Sequence, residues 1–287
     1  MKRLAVPVIT STLVLLCLAP RQSWSQENAI EENRRLQNTS RAKARELEFR
    51  IDDESSTELV VGDSPVMTWT SLGGWSGDVF AWTGKGRVQV VGCIGSHKLD
   101  DGRYEIFQEF HSLADERVMA TRLDESQVWI PRTSIEAKPM TGTRPPARSP
   151  PQRLAQMRLL ARSFSFGMRV SEDNVEQELR LLPQPVARVV GGSDRVLDSA
   201  LFAYVSSSGT DPEVFLLIEA RDVDGQSVWT YSIARFTTRE IWMSHGDHPV
   251  VRIDEAPYLG GTTERIAEPY FYRVESALPV DELEPAE

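Results

Sequence analysis

The fold of this chain is decided by residues 211–236, which read DPEVFLLIEARDVDGQSVWTYSIARF. Two apolar runs flank Asp224-Gly225, a residue pair that accepts positive φ at both central positions of a two-residue turn. The stretch therefore predicts a β-hairpin. Counting outward from the turn places Ile218 opposite Tyr231 on a large apolar face, and Glu219 opposite Thr230 on a half-polar face.

The half-polar face carries Glu219 and Arg221, which are the binding candidates of this hairpin. As i and i+2 neighbours on an open face they would form an exposed ion pair worth about 0.2–1 kcal/mol. If a second layer covers the face, the same pair needs further partners and becomes a site of interest.

The turn itself, Asp222-Val-Asp224-Gly225, resembles half of a calcium loop. The spacing of an EF-hand fails, because its first and twelfth positions would fall on Ala220 and Tyr231. We therefore interpret the segment as a turn and not as an ion site.

Outward from the hairpin, residues 60–131 and the chain after Glu178 alternate apolar and polar residues, which is typical of antiparallel strands. Pro183 and Pro185 confine their segment to a sheet edge or an extended crossing. Between these regions a helix is predicted from Pro150 to about Phe166, capped by Ser149 with Gln152 three residues on. Its apolar stripe comprises Leu154, Met157, Ala161 and Phe164.

The predicted fold class is α+β: antiparallel β-sheet(s) with a central amphipathic helix and a polar N-terminal helix. Residues 56–276 are expected to form a single domain with a Pro-rich linker at 139–151. Residues 26–55 are expected to be a polar helical or flexible lead-in, and 277–287 an acidic flexible tail.

The first 25 residues have the features of a secretory signal peptide: Lys2 and Arg3, an apolar run, and Ser23-Trp24-Ser25 before a cleavage point at Gln26. An uncleaved anchor is the alternative, although the run is short for a membrane span. The sequence thus predicts a secreted or periplasmic protein, with no stable membrane insertion after cleavage.

The charge balance restricts the partners. The net charge is −10, and loss of Lys2, Arg3 and Arg21 with the signal would lower it to −13. Nucleic acid and anionic membrane surfaces are disfavoured because like charges repel. Cys93 would then have no intramolecular partner, so no disulfide is expected, and its apolar surroundings indicate a small buried hydrophobe.

Two histidine-containing segments are candidates for chemistry. In YEIFQEFHSL (104–113), Glu109 and His111 share one strand face, so Glu109 could orient the imidazole of His111 for general-base catalysis, with His97 or Glu219 as further members. A polar ladder along the strand is the alternative. In SHGDHP (244–249), the metal candidates are His245, Asp247 and His248.

No Walker A, Gly-x-Ser-x-Gly, His-Glu-x-x-His or dinucleotide-binding motif is present in the sequence, and no cofactor is predicted. Trp75, in a Gly-rich loop, is a binding candidate because aromatic rings stack on sugars or polymers. The segment 77–95 has a shape similar to the hairpin, with Asp78-Val79-Phe80 parallel to Glu213-Val214-Phe215. This similarity fits an ancient duplication as well as the generic likeness of hairpins.

Several segments together resemble a family of uncharacterised secreted proteins of planctomycete-type bacteria: EFHSL (109–113), QMRLLARSF (156–164), ELRLLPQPVARV (178–189), ALFAYV (200–205) and GTDPEVFLLIEAR (209–221). The resemblance implies export and a shared fold but no activity. The leading hypothesis is a non-catalytic binding or envelope-associated module with an unknown envelope or extracellular partner. The alternative is a hydrolase-like or metal-dependent enzyme that uses the His/Glu pair.

Overall fold

A computed structural model describes residues 21–52, 56–123, 127–131, 135–170, 175–191, 193, 195–207, 209–246, 251–256, 258–259, 262–263 and 268–285. The first half contains, in order, α1 (Arg21–Arg45), β1 (Leu47–Ile51), β2 (Val60–Val61), β3 (Met67–Ser71), β4 (Trp75–Gly84), β5 (Arg87–Lys98), β6 (Tyr104–Ser112), β7 (Val118–Arg122), β8 (Gln127–Trp129) and β9 (Lys138–Pro139).

The second half begins with α2 (Pro150–Ala161), followed by β10 (Phe164–Val170), β11 (Val175–Glu178), β12 (Arg180–Leu181), β13 (Ala187–Val190), β14 (Val196–Val205), β15 (Pro212–Val223), β16 (Gln226–Arg235), β17 (Ile241–His245) and β18 (Val251–Ile253). The C-terminal elements are β19 (Tyr258–Leu259), β20 (Thr262–Thr263), β21 (Tyr270–Leu278) and the short 3₁₀ helix η1 (Val280–Glu282).

The strands of the described residues form four antiparallel sheets. We name the N-sheet (β2–β6 and β19–β21) and the C-sheet (β9 and β12–β16). Their inner faces pack against each other through one apolar cluster that includes Val91, Phe107, Phe215 and Leu217. The outer face of the N-sheet packs on the N-cover, which is α1 with β1, β7 and β8. The outer face of the C-sheet packs on the C-cover, which is α2 with β10, β11, β17 and β18.

The two halves repeat one order of elements. β1 pairs with β7 and β7 with β8, as β10 pairs with β17 and β17 with β18. β2 and β3 both pair with β4, as β12 and β13 both pair with β14, and β4–β5–β6 run side by side as β14–β15–β16 do. This topology supports a duplicated helix-plus-sheet unit. The segments matched in the sequence are not its equivalents, because Asp78 lies on β4 and Glu213 on β15.

The halves also exchange their closing strands. β9, which follows the first half, pairs with β16 of the second, where Lys138 lies opposite Tyr231. β21, which follows the second half, pairs along its length with β6 of the first. The C-sheet is therefore completed by a strand that follows the first half, and the N-sheet by a strand that follows the second half. This exchange ties the two halves into one folding unit.

The predicted hairpin is confirmed. β15 and β16 pair with Ile218 opposite Tyr231 and Glu219 opposite Thr230. Asp224 and Gly225 have φ values of 52° and 78°, and the backbone N–H of Gly225 donates to Asp222 Oδ1 at 2.9 Å. The carboxylate of Asp222 thus stabilises the turn by accepting a backbone hydrogen bond.

The central helix differs from its sequence prediction at its end. α2 stops at Ala161, and Phe164 and Phe166 lie on β10, where they pair with His245 and Met243 of β17. Two aromatic residues at alternate positions fill the C-cover core better as a strand than as a continued helix. The Ser149 carbonyl accepts the backbone N–H of Arg153 at 3.0 Å, but its hydroxyl makes no capping bond and instead donates to Gln152 Oε1 at 3.0 Å.

Arg153 lies away from the apolar stripe of α2 but is buried in the structure. Its Nε donates to Asp198 Oδ2 at 2.9 Å, and Asp198, fully buried on β14, also accepts two bonds from Arg188. The helix docks on the C-sheet through this ion cluster as well as through apolar contacts. The same arginine donates to the carbonyls of Ala147 and Arg148, so the end of the Pro-rich segment packs against the helix.

The first and last described elements, α1 and η1, pack on the N-sheet side. Leu36 of α1 packs against the N-sheet cluster, and Leu47, Phe49 and Ile51 of β1 are buried in it. The end expected to be a flexible tail buries Leu283, and the backbone N–H of Glu284 donates to Thr39 Oγ1 at 2.9 Å. In the described part of the chain, no helix has the length and apolarity to cross a membrane. Residues 1–20, the bulk of the predicted signal, lie outside the described residues.

Candidate functional site

A cleft of about 650 Å³ opens at one end of the interface between the N-sheet and the C-sheet. We call it the central cleft. Its walls come from the β3–β4 hairpin, β6, β21, β10 and β11, the β14–β15 connection and the residues after β16. Thr210 bonds with the backbone of Thr70 across its rim, which joins the two sheets there. Its volume lies in the range of small-molecule sites in proteins.

Aromatic rings form the N-sheet side of the central cleft. Trp75 is half-buried and stacks on His97 with ring centroids 4.1 Å apart, and Phe107 stacks on Tyr272 at 5.5 Å. The Phe107 ring lies across Gly95, where an added Cβ would come within 2.1 Å of the ring. The absence of a side chain at position 95 therefore lets the aromatic wall lie flat on the sheet.

Three acidic residues line the central cleft: Glu109 of β6, Asp211 before β15 and Glu213 on β15. Glu109 and Glu213 are each only 7% exposed, and the Tyr270 hydroxyl donates to Glu109 Oε1 at 2.5 Å. Burial raises the pKa of Glu213 to about 7, and burial together with repulsion from neighbouring acids raises the pKa of Glu109 to about 8 and of Asp211 to about 9. These carboxyl groups thus exchange protons near neutral pH.

Arginine provides little direct compensation for this negative charge. Arg235 donates to the backbone carbonyls of Thr237, Thr238, Arg239 and Asp254 and forms no carboxylate hydrogen bond in the described part of the chain. Arg239 lines the cleft, and its positive charge lowers the pKa of Asp211 and Glu213, although burial outweighs it.

The predicted Glu109–His111 pair is buried, but the two side chains have different partners. His111 Nδ1 lies 2.7 Å from the carbonyl oxygen of Ser112, whereas Glu109 bonds with Tyr270. Burial lowers the pKa of His111 to about 4. Among the described residues the central cleft is lined by Glu109 and not by His111. The idea that Glu109 orients this imidazole is therefore wrong.

The interpretation of Glu219 and Arg221 as an exposed ion pair is also wrong. Glu219 is 0% exposed, because the N-sheet covers this face of the hairpin. Arg87 of β5 binds it through Nε and Nη2 at 2.6 and 3.0 Å, and Arg221 binds it at 2.6 Å while also contacting Asp115 at 2.8 Å. This closed ion cluster occupies the end of the interface opposite the central cleft.

Of the three metal candidates, only His245 lies among the described residues. His245 ends β17 and stacks on Phe164 with ring centroids 4.1 Å apart, while Asp247 and His248 lie outside the described residues. Nowhere in the described ranges do three or more His, Cys, Asp or Glu residues group as a metal site.

Cys93 is fully buried beneath the central cleft, as the sequence predicted, and has no disulfide. Trp69 Nε1 donates to its Sγ at 3.4 Å, and burial raises the pKa of the thiol. The thiol is therefore protonated and unsuited to a nucleophilic role.

A second cavity of about 180 Å³ lies under α1. It surrounds Asp78, which accepts hydrogen bonds from Ser40 and from Thr68, the latter at 2.6 Å. Because both hydroxyl groups are already directed at the carboxylate, the arrangement fixes the helix to β4 and satisfies the buried charge.

Sequence reasoning identified Glu109 and Trp75 but missed Asp211, Glu213, Tyr270 and Arg239 as cleft residues. The sequence showed that Asp211-Pro212-Glu213 is the acidic start of the hairpin. It did not show that these residues lie between two sheets. Tyr270 reaches Glu109 only because β21 returns to β6 from the end of the chain.

Comparison with known proteins adds no relative: no protein-family model, curated protein or solved structure matches this chain. The resemblance to secreted planctomycete-type proteins stays a prediction.

The acidic cleft predicts a pH dependence of stability. Glu109, Asp211 and Glu213 have folded-state pKa values of about 8, 9 and 7, above their ordinary values of 4.5, 3.8 and 4.5. The folded protein therefore holds protons that the unfolded chain releases, and the free energy of unfolding should fall as pH rises toward 9. His111 acts oppositely, because its lowered pKa costs stability as pH falls from 6.5 to about 4.

Urea unfolding between pH 6.5 and 9 isolates the carboxyl contribution. Glu109→Gln should flatten the decline of unfolding free energy with pH, whereas Asp63→Asn, at an exposed site, should leave the slope unchanged. An equal slope in Glu109→Gln and the parent protein would contradict the assignment.

Proposed function

We propose that this chain is an exported binding protein that takes a ligand into the central cleft. The observation that carries the proposal is the cleft itself: about 650 Å³, with an aromatic wall on the N-sheet and three acidic residues, Glu109 from the N-sheet and Asp211 and Glu213 from the C-sheet side. Concave sites with a largely apolar lining and a few convergent polar groups are typical of ligand-binding proteins. Trp75 is half-buried at the rim, so an extended ligand would contact its ring on entering the cleft.

Export rests on the signal-like residues 1–25, and the partner we propose belongs to the envelope or the extracellular space. The net charge of −10 favours a ligand without strong negative charge and argues against nucleic acid. In this proposal the ligand is held at the interface of the two halves, so binding stabilises their association.

A hydrolytic enzyme is the second candidate, favoured by one observation. Glu109 and Glu213 line a cleft with pKa values of about 8 and 7, so either could donate a proton to a bound substrate at neutral pH. This version uses carboxyl groups without His111. Turnover abolished by Glu109→Gln with binding retained would identify it.

Obstruction of the central cleft tests the binding proposal. Val170 lines the cleft and is partly exposed, so Val170→Trp should fill space that a ligand needs. We expect compounds from a panel of saccharides, amines and short peptides to raise the melting temperature of the parent protein but not of this variant.

The matched control is Val190→Trp, because Val190 is exposed on the edge strand β13. It should respond to the panel as the parent protein does. If ligands stabilise Val170→Trp and the parent protein equally, they bind elsewhere and the proposal fails.

A further inference from the structure

The repeat of the two halves relates the central cleft to the closed ion cluster. β5 corresponds to β15 and the β6–β7 connection to the β16–β17 connection. The closed ion cluster combines the start of β5 (Arg87), the end of β15 (Glu219, Arg221) and the β6–β7 connection (Asp115). The central cleft combines the start of β15 (Glu213) with the β16–β17 connection, so it occupies the matching position at the other end.

The two ends differ in how buried carboxylates are neutralised. At the closed end, Glu219 receives two guanidinium groups from the chain itself. At the cleft end, no arginine or lysine in the described ranges forms a salt bridge with Glu109, Asp211 or Glu213, and the nearby Arg235 is directed at backbone carbonyls. The cleft thus has buried acids and open volume where its counterpart has guanidinium groups bound to the carboxylate, although Arg239 also lines the cleft.

We propose that the ligand of the central cleft is an alkylammonium group, which enters between the aromatic wall and the carboxylates and takes the place that arginine holds at the closed ion cluster. This inference rests on the proposed function and specifies its ligand class. Rings such as Trp75 and Tyr272 attract cations through their faces, and the carboxylates supply the counter-charge. The described residues offer no group of metal ligands, which favours an organic cation over a metal ion.

Protonation of the site sets the pH dependence. The ionisable groups around the cleft are Glu109, Asp211 and Glu213, with Arg235, Arg239, Tyr270, Tyr272 and His111 nearby. The raised pKa values of the three acids mean that they are largely neutral at pH 6, whereas near pH 9 Glu109 and Glu213 are largely ionised and Asp211 is about half ionised. An alkylammonium keeps its charge up to a pKa of about 10. Affinity should therefore increase as pH rises from 6 to 9.

The test measures binding of 1,5-diaminopentane and Nα-acetyl-lysine amide by tryptophan fluorescence and calorimetry, with 1,5-pentanediol as the uncharged analogue. We expect both amines to bind and the diol to bind at least tenfold more weakly. Glu213→Gln should weaken amine binding at least tenfold, whereas Asp63→Asn, whose side chain is 99% exposed, should not change it. Tighter binding of the diamine indicates a free amine as the natural ligand, and tighter binding of the acetyl-lysine amide indicates a peptide.

The failures of the two proposals are distinguishable. If the diol or a saccharide binds in a manner abolished by Val170→Trp while amines do not, the binding function stands and the alkylammonium inference is overturned. Amine binding that persists in Glu213→Gln and in Val170→Trp also overturns the inference, because it places the amine outside the cleft. If no compound in the panel binds in a Val170-dependent way, both proposals fail.

Discussion

Arg87→Met is expected to lower the free energy of unfolding by about 3 kcal/mol, since removal of one partner from a buried ion pair leaves an uncompensated charge. Glu219 is fully buried, and Arg87 provides its bidentate contact from the opposite sheet. Arg221 would remain bound to Glu219, which keeps the loss near the lower end of the range for buried pairs. Urea denaturation monitored by tryptophan fluorescence gives the value.

The double variant Arg87→Met/Glu219→Leu is the matched control. Because it removes both charges and leaves Arg221 its contact with Asp115, most of the lost stability should return. A double variant no more stable than Arg87→Met would show that the cost comes from packing of the arginine stem and not from the stranded carboxylate.

Phe271→Ala is expected to cost about 3–5 kcal/mol of unfolding free energy, as for other large aromatic residues truncated in a core. Phe271 is fully buried on the exchanged strand β21 and stacks on Phe110 and Trp129, with ring centroids 6.0 and 6.3 Å away. The variant removes the main apolar anchor that holds this strand to β6. Hydrogen exchange should accelerate first in β6 and β21, before the C-sheet.

Leu159→Ala is the control for this second variant, since Leu159 is 64% exposed on α2 and its truncation should change stability by less than about 0.5 kcal/mol. If Phe271→Ala costs less than about 1 kcal/mol, or if exchange accelerates uniformly, β21 is not held in the way described. The tie between the halves would then lie elsewhere.

The elements that the sequence predicted well are those whose causes are local. The β15–β16 hairpin follows from the two-residue turn at Asp224-Gly225 and from alternation on both sides, so its register was predictable residue by residue. The edge position of the segment with Pro183 and Pro185 also follows from a local fact, because proline has no N–H to donate to a sheet. The strand-rich, antiparallel class with few helices has the same origin.

Predictions that depended on what covers a face were less successful. Glu219 was expected at the surface because Arg221, two residues away, provided a local partner for its charge. Its principal partner is instead Arg87, 132 residues away. The sequence predicted that helix α2 continues to Phe166, because helical and strand periodicity overlap in that short apolar run. In the structure, pairing with β17 makes these residues a strand.

The candidate site shows the same division. Strand alternation placed Glu109 and His111 on one face, yet their partners, Tyr270 and the Ser112 carbonyl, follow from the path of β21 and the local backbone. Asp211 and Glu213 join Glu109 only because two sheets from the two halves meet face to face.

The sequence by itself determined the strands, the turn, the hairpin register and the acidic balance, because each depends on residues close in the chain. The tertiary structure decided the pairing of the sheets, the exchange of β9 and β21, and which carboxylates are neutralised by arginine and which face an open cleft. These features depend on contacts between residues more than 90 positions apart, such as Lys138 with Tyr231, Arg87 with Glu219 and Tyr270 with Glu109, for which a single sequence contains no direct signal.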